Sequence, residues 1–183
     1  MARIVVYKET LLDYREHFWT FLGAFFGIGI IGFLNSHYFD LHDNLFLIGS
    51  FGASSVLIYG VINSPLAQPR NLIGGHIISA FIGVTIHYLV PTEIWFAAAL
   101  AVSLSIVLMQ ITKTLHPPGG ATALIAVIGS KKIASLGYFY VISPVLSGVM
   151  ILLLVALFFN NITPRRRYPL NKNWYRVWKR KYL

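Results

Sequence analysis

The chain has 183 residues, of which 56% are hydrophobic and 11% charged, and its mean hydropathy is +0.67. A soluble domain carries about 25% charged residues, so an ordinary soluble globular domain is excluded; so is intrinsic disorder, which needs low hydrophobicity. There is no cysteine, which excludes disulfides, thiolate metal sites and cysteine nucleophiles. What remains is an all-α membrane protein, and 15 Gly and 8 Pro suit membrane helices better than soluble ones.

Residues 1–16 are polar and contain Glu9, Asp13 and Glu16. They match neither a secretory signal peptide nor an acid-poor transit peptide, and they read as an N-terminal interfacial segment. About six apolar segments follow, at residues 18–34, 45–62, 72–90, 94–111, 119–129 and 137–159. A crossing takes about 17–25 apolar residues. The fifth segment is too short alone, so it is a half-helix or recruits residues 115–118 as non-helical chain. The transmembrane domain is then residues 17–160, and residues 161–183 are a basic and aromatic tail.

Lys and Arg mark the cytoplasmic side. They gather at Arg3, Lys8 and Arg15 and again from Arg165 to Lys181, so both termini are expected in the cytoplasm, in a cell inner membrane. Six crossings satisfy this and place Arg70 and Lys113 inside; only Lys131 and Lys132 fall on the wrong side. Re-entrant second and fifth segments would leave four crossings. The tail interleaves Trp174, Tyr175, Trp178 and Tyr182 with basic residues. This is expected to be a collar on the anionic inner leaflet, not a nucleic-acid patch.

A repeat is visible. Gly52-Ala53-Ser54-Ser55 reads against Gly120-Ala121-Thr122-Ala123, and the two halves each read as three elements. With an odd number of elements and six crossings, the second half is inverted relative to the first. Inverted repeats with broken middle helices are a recurring transporter design with a site near the midplane.

Three polar constellations stand out. In Lys113-Thr114-Leu115-His116-Pro117-Pro118-Gly119-Gly120-Ala121-Thr122 the prolines cannot sit inside a helix, and the residue before a proline is pushed toward extended backbone. His116 and Pro117 are therefore expected on extended chain, with a helix restarting near Pro118. The free amides at such a start, from Gly119, Gly120 and Ala121, offer an anion site. A plain surface loop is the alternative. The second constellation puts Arg70 and Asn71 just before Gly74-Gly75-His76. With no carboxylate nearby in sequence, Arg70 has an anionic ligand as a natural partner; a topology signal is the rival explanation. The third, Gly49-Ser50-Phe51-Gly52-Ala53-Ser54-Ser55, suits close helix packing or hydroxyls lining a path opposite Thr122. His37, Asp40, His42 and Asp43 match no metal-ligand face, and no hydrolase, zinc-protease or nucleotide motif is present.

The run from Leu115 to Leu124 resembles the signature of the HPP family of integral membrane proteins, named for that tripeptide. Residues 49–54, 64–71 and 74–76, and Asn160-Asn161, also resemble that family's blocks, so the resemblance covers about residues 17–170. The family is usually described with four spans, against the six crossings read here, and it has been associated with nitrite transport in plastids and cyanobacteria. The resemblance therefore implies a substrate class, small monovalent anions with nitrite favoured. The expectation is a transporter or channel, not an enzyme, with no cofactor or metal. In it, Arg70 and Lys113 attract the anion, the amides and Thr122 replace its hydration, and His116 offers a hydrogen bond or a proton. Pro117, Asn71, Ser54 and His76 complete the expected site. The bilayer is a partner, and the small size and Gly/Ala-rich faces favour a homo-oligomer. The rivals are a non-transporting assembly or sensor protein and, against the missing acids and cysteines, an intramembrane enzyme.

Overall fold

A computed structural model of the chain describes residues 14–38 and 48–171. The interfacial segment before residue 14, most of the loop holding Asp40, His42 and Asp43, and the aromatic collar beyond residue 171 lie outside the described residues. Helix α1 (Tyr14–Tyr38) is followed by the short α2 (Gly49–Ser55), which continues as a π-turn over Val56–Gly60. Then come α3 (Pro69–Leu89), α4 (Ile94–Ile111), α5 (Pro118–Ile128), the short α6 (Lys131–Ser135) and α7 (Ser147–Phe159), with a second π segment, Val141–Leu146, leading into α7.

Prolines punctuate this order. Pro69 and Pro118 sit in the first turns of α3 and α5, where a missing N–H costs nothing. Ser143, just before Pro144, is extended at φ −137°, ψ 123°, as a residue preceding proline prefers, and α7 proper starts after it.

Among the described residues, four helical stretches are long and apolar enough to cross a membrane: residues 14–37, 69–89, 94–111 and 141–159. Six full-length crossing helices are not found among these residues. The second and fifth apolar segments are the short ones. The 7 residues of α2 with the 5 of its π-turn rise about 18 Å at about 1.5 Å each, and the 11 residues of α5 rise slightly less, against a hydrocarbon core of about 30 Å.

The exit of the α2 segment and the start of α5 lie toward the same end of the bundle. At one end the Thr20 hydroxyl donates to the Tyr59 carbonyl (3.0 Å), Asn160 Nδ2 to the Ile58 carbonyl (2.7 Å) and an Arg70 guanidinium nitrogen to the Thr112 carbonyl (2.9 Å). This end thus gathers the start of α1, the exit of the α2 segment, the start of α3 and the ends of α4 and α7. At the other end the Tyr138 hydroxyl meets Thr85 Oγ1, near the end of α3, at 3.1 Å. Non-helical chain at residues 61–64 follows the α2 segment and at residues 112–117 precedes α5, and the two stretches lie at the same end.

The core is built on α3. It packs against α4 and α5 on one side and the π segment and α7 on the other, while α1 leans on α7. Phe51, Ile58, Tyr59, Leu72, Val149 and Leu152 are fully buried in it. Outward-facing Phe21, Phe25 and Phe33 on α1 and Trp95 on α4 are exposed, as suits side chains in contact with lipid.

The α3–α5 contact depends on Gly83. A Cβ there would lie 2.6 Å from the Ala123 carbonyl oxygen and 2.7 Å from Ala126 Cβ. Gly83→Ala is expected to cost about 1–3 kcal/mol, since backbone must move. Gly52→Ala, which meets nothing within 4 Å, is expected to gain up to about 1 kcal/mol from helix propensity. Chemical unfolding of both variants in mild detergent checks the pair; equal stabilities would contradict this packing.

Candidate functional site

The short α2 carries Ser54 on its last turn, α3 carries His76 in its interior, the non-helical chain before α5 carries His116, and α5 carries Thr122. All four side chains are fully buried and bonded in a row. Ser54 Oγ lies 2.7 Å from His76 Nε2 and 2.9 Å from His116 Nε2. His76 Nδ1 lies 2.7 Å from Thr122 Oγ1, and His116 Nδ1 lies 2.9 Å from the Leu66 carbonyl. The two imidazole centroids are 5.0 Å apart, and Phe51 packs edge-on against His76.

The carbonyl at one end decides every proton in the row. A carbonyl only accepts, so His116 Nδ1 carries the hydrogen. In neutral His116 the Nε2 then accepts, and Ser54 O–H donates to it. Having spent its hydrogen, Ser54 accepts from His76 Nε2–H. That leaves His76 Nδ1 as an acceptor, and Thr122 O–H donates to it. With both rings neutral, each ring nitrogen and hydroxyl hydrogen has a partner, which a buried polar cluster requires.

The two breaks are stitched together beside this row. His116 reaches Leu66 in one break from its place in the other. Asn71 Nδ2 donates to the Leu115 carbonyl (2.8 Å), and Arg70 to Thr112 as above. The glycines permit the approach: a Cβ at Gly75 would lie 2.5 Å from His116 Cβ and 3.0 Å from the Thr114 carbonyl, and one at Gly119 would lie 3.0 Å from the Gly75 carbonyl. The Gly119 and Gly120 amides donate to the His116 and Pro117 carbonyls at 2.8 and 3.0 Å, so they are not free as the sequence suggested but close the turn into α5. Pro117, expected on extended chain, instead has helical backbone (φ −51°, ψ −38°) as the exposed N-cap residue, and Gly120 and Ala121 are half-buried on the first turn of α5.

Lys113 ends α4 with φ 56°. The Lys113 amide bonds the Gln110 carbonyl and the Thr114 amide bonds the Met109 carbonyl, the C-terminal closure that ordinarily places glycine in the left-handed position. A lysine there costs about 1–2 kcal/mol, and such strain clusters at functional sites. Lys113→Gly is expected to stabilise the protein by about 1 kcal/mol. Chemical unfolding in mild detergent measures it, and a variant no more stable than wild type would mean that the left-handed lysine stores no strain.

Sequence reasoning counted Arg166 among the positive charges of the tail. The structure buries it, 4% exposed. It donates to the Tyr59 carbonyl (2.7 Å), Asn160 Oδ1 (3.0 Å), the Glu16 carbonyl (3.1 Å) and Thr20 Oγ1 (3.2 Å). Its Nε lies 3.6 Å from the Glu16 carboxylate. Burial lowers the Arg166 pKa and the Glu16 charge opposes that shift; an arginine keeps its proton throughout. Nearby the Tyr168 hydroxyl donates to the Ala67 carbonyl (2.7 Å), and burial raises its pKa, so it stays a donor. The first residues of the expected tail are thus folded over the break at residues 61–68. The sequence signal was Asn160-Asn161, two polar caps at the end of an apolar span.

The structure therefore brings Ser54, His76, His116 and Thr122 into one buried row, with Arg70, Asn71 and Lys113 at the adjacent break. The sequence matches the HPP transmembrane-region model over residues 9–169. The chain belongs to the HPP family. Two transmembrane proteins of Dictyostelium discoideum are similar to it. One is 52% identical over 168 residues, covering 89% of this chain and 58% of its own length; the other is 46% identical over 162 residues, covering 86% and 51%. The chain thus spans little more than half the length of these relatives. No solved structure matches it.

Proposed function

We propose that the chain is a transporter or channel for a small monovalent anion, nitrite being the favoured substrate, in a cell inner membrane with both termini cytoplasmic. The observation that carries this proposal is the buried donor row placed where two non-helical breaks meet. Non-helical backbone at membrane depth is tolerated where protein or a cavity surrounds it. Donors held in such a place can replace an ion's hydration. Cations gather at the same end, in Arg70 and Lys113. Two carboxylates lie among the described residues: Glu16, at this same end and 3.6 Å from Arg166 Nε, and Glu93, at the start of α4 and so at the opposite end of the bundle. Parting the breaks would release the Arg70–Thr112, Asn71–Leu115 and His116–Leu66 bonds, which act as the gate on that side.

The test is flux in proteoliposomes of the purified chain, with protein-free liposomes as background. Nitrite and chloride are expected to move in preference to potassium. Arg70→Lys keeps the charge but loses the planar fork that suits a bent oxyanion, so nitrite flux should fall several-fold and chloride flux less. Arg70→Glu should abolish both. Potassium flux above either anion would overturn the proposal. The full satisfaction of the buried row favours one rival, a non-transporting assembly or sensor protein, and absence of any protein-dependent flux would select it.

A further inference from the structure

We propose that residues 163–170 are a strap that holds the gate shut, with Tyr168 as its latch. The effect of the strap on flux rests on the anion-transport proposal above; its hold on the break does not.

The strap is anchored by the end of α7. Asn161 Oδ1 accepts from the Tyr168 amide at 3.1 Å, and Asn161 Nδ2 donates to the Tyr168 carbonyl, so one side chain fixes both backbone groups of Tyr168. Side chains then alternate: Arg166 and Tyr168 are buried, while Arg165 and Arg167 are exposed. The buried pair grips the chain on either side of the break at residues 61–64. Arg166 donates to the Tyr59 carbonyl at the exit of the α2 segment. Tyr168, 2% exposed, donates to the Ala67 carbonyl at 2.7 Å, and the Leu170 amide donates to Gln68 Oε1 at 3.0 Å.

Ala67 closes the short turn Pro65–Ala67. The carbonyl before it, that of Leu66, accepts from His116 Nδ1 at 2.9 Å. Two neighbouring carbonyls of one turn are therefore held, one by the site and one by the strap. The turn itself is slight, three residues with the Leu66 amide capped by Ser64 Oγ at 3.2 Å. It cannot swing away from His116 while Tyr168 ties it to the end of α7, which is packed on α1 and α3. Release of the His116–Leu66 bond, one of the gate's three, thus requires the latch to let go. Once the strap lifts, the Tyr168 hydroxyl and the Ala67 carbonyl both reach water. The latch then weighs only one net hydrogen bond, about fivefold in the opening equilibrium, which is weak enough to work reversibly.

The experiment uses the full chain in liposomes, as wild type and as Tyr168→Phe, which removes the latch oxygen and keeps the ring. Modification by diethyl pyrocarbonate, located by mass spectrometry, reads the accessibility of each histidine. His116 should react about fivefold faster in Tyr168→Phe, the weight of that one bond. The exposed His37 should be unchanged, and His76, in the interior of α3, should stay protected. An unchanged rate at His116 overturns the latch. So does an equal gain at His76, which would mean that the whole bundle has loosened. A second arm ties the strap down. Gln68→Cys/Leu170→Cys, in a chain with no other cysteine, is joined by a short reducible bifunctional thiosulfonate. Joining should lower His116 modification and nitrite flux at least fivefold below the unjoined double variant, and a reductant should restore both. Where flux is present, a joined protein that carries nitrite at the unjoined rate overturns the strap. If neither wild type nor any variant carries flux, anion transport falls. His116 modification then judges the strap alone: a loss on joining supports it, and no change overturns it.

Discussion

Arg166→Ala is expected to destabilise the bundle by about 3–5 kcal/mol, the range for removing one member of a buried charged network. The ion pair with Glu16 is a small part of this, because that carboxylate is 35% exposed and solvent screens it. The larger part is Asn160 Oδ1, a buried acceptor left without a donor, together with the Tyr59 carbonyl, which keeps only Thr20. Each such group costs about 1–3 kcal/mol. Arg166→Lys keeps the charge but reaches fewer acceptors, so it should recover part of the loss. Unfolding followed by tryptophan fluorescence in detergent measures both. An alanine variant as stable as wild type would mean that this end of the bundle is held by other contacts.

His116→Ala should be comparably severe. It removes a fully buried ring, strands the Leu66 carbonyl and leaves Ser54 with one partner. Cavity and unpaired acceptors together are expected to cost about 3 kcal/mol or more. This variant alone cannot separate folding from transport, so His116→Gln is the informative partner. A glutamine offers a donor toward Leu66 and an acceptor toward Ser54, but its amide cannot pass a proton. Wild-type oligomer size with at least tenfold lower nitrite flux is the expected outcome. Wild-type flux in His116→Gln would remove the imidazole from transport.

Much of this architecture was legible in the sequence because proline and hydrophobic length act locally. Pro117-Pro118 forced the break before α5, and the fifth apolar segment was visibly too short to cross. Ser54 and Thr122 occupy the same step of the repeated Gly-Ala-Ser/Thr block, and they meet opposite nitrogens of His76. The sequence did not tell which face those hydroxyls take, because Ser50, Ser54 and Ser55 spread over the seven residues of α2 and Thr122 is the one polar side chain of α5, patterns that suit close helix packing as well as a buried row. It also could not place His76 beside His116, 40 positions apart, since that contact depends on two breaks meeting. Lys113 in a left-handed conformation breaks a local rule, so no local rule finds it. Arg166 looked like one basic residue among many because burial is a property of the folded end, not of the charge run.

The account's central claim is that the buried row is where the anion passes. The most direct measurement is nitrite flux through Ser54→Ala/Thr122→Val, which removes both hydroxyls while changing little volume. Its flux is compared with wild type in liposomes of matched protein content, after unfolding confirms a folded bundle. The account predicts at least a tenfold loss of flux in a folded protein. Wild-type flux through the folded double variant would contradict it.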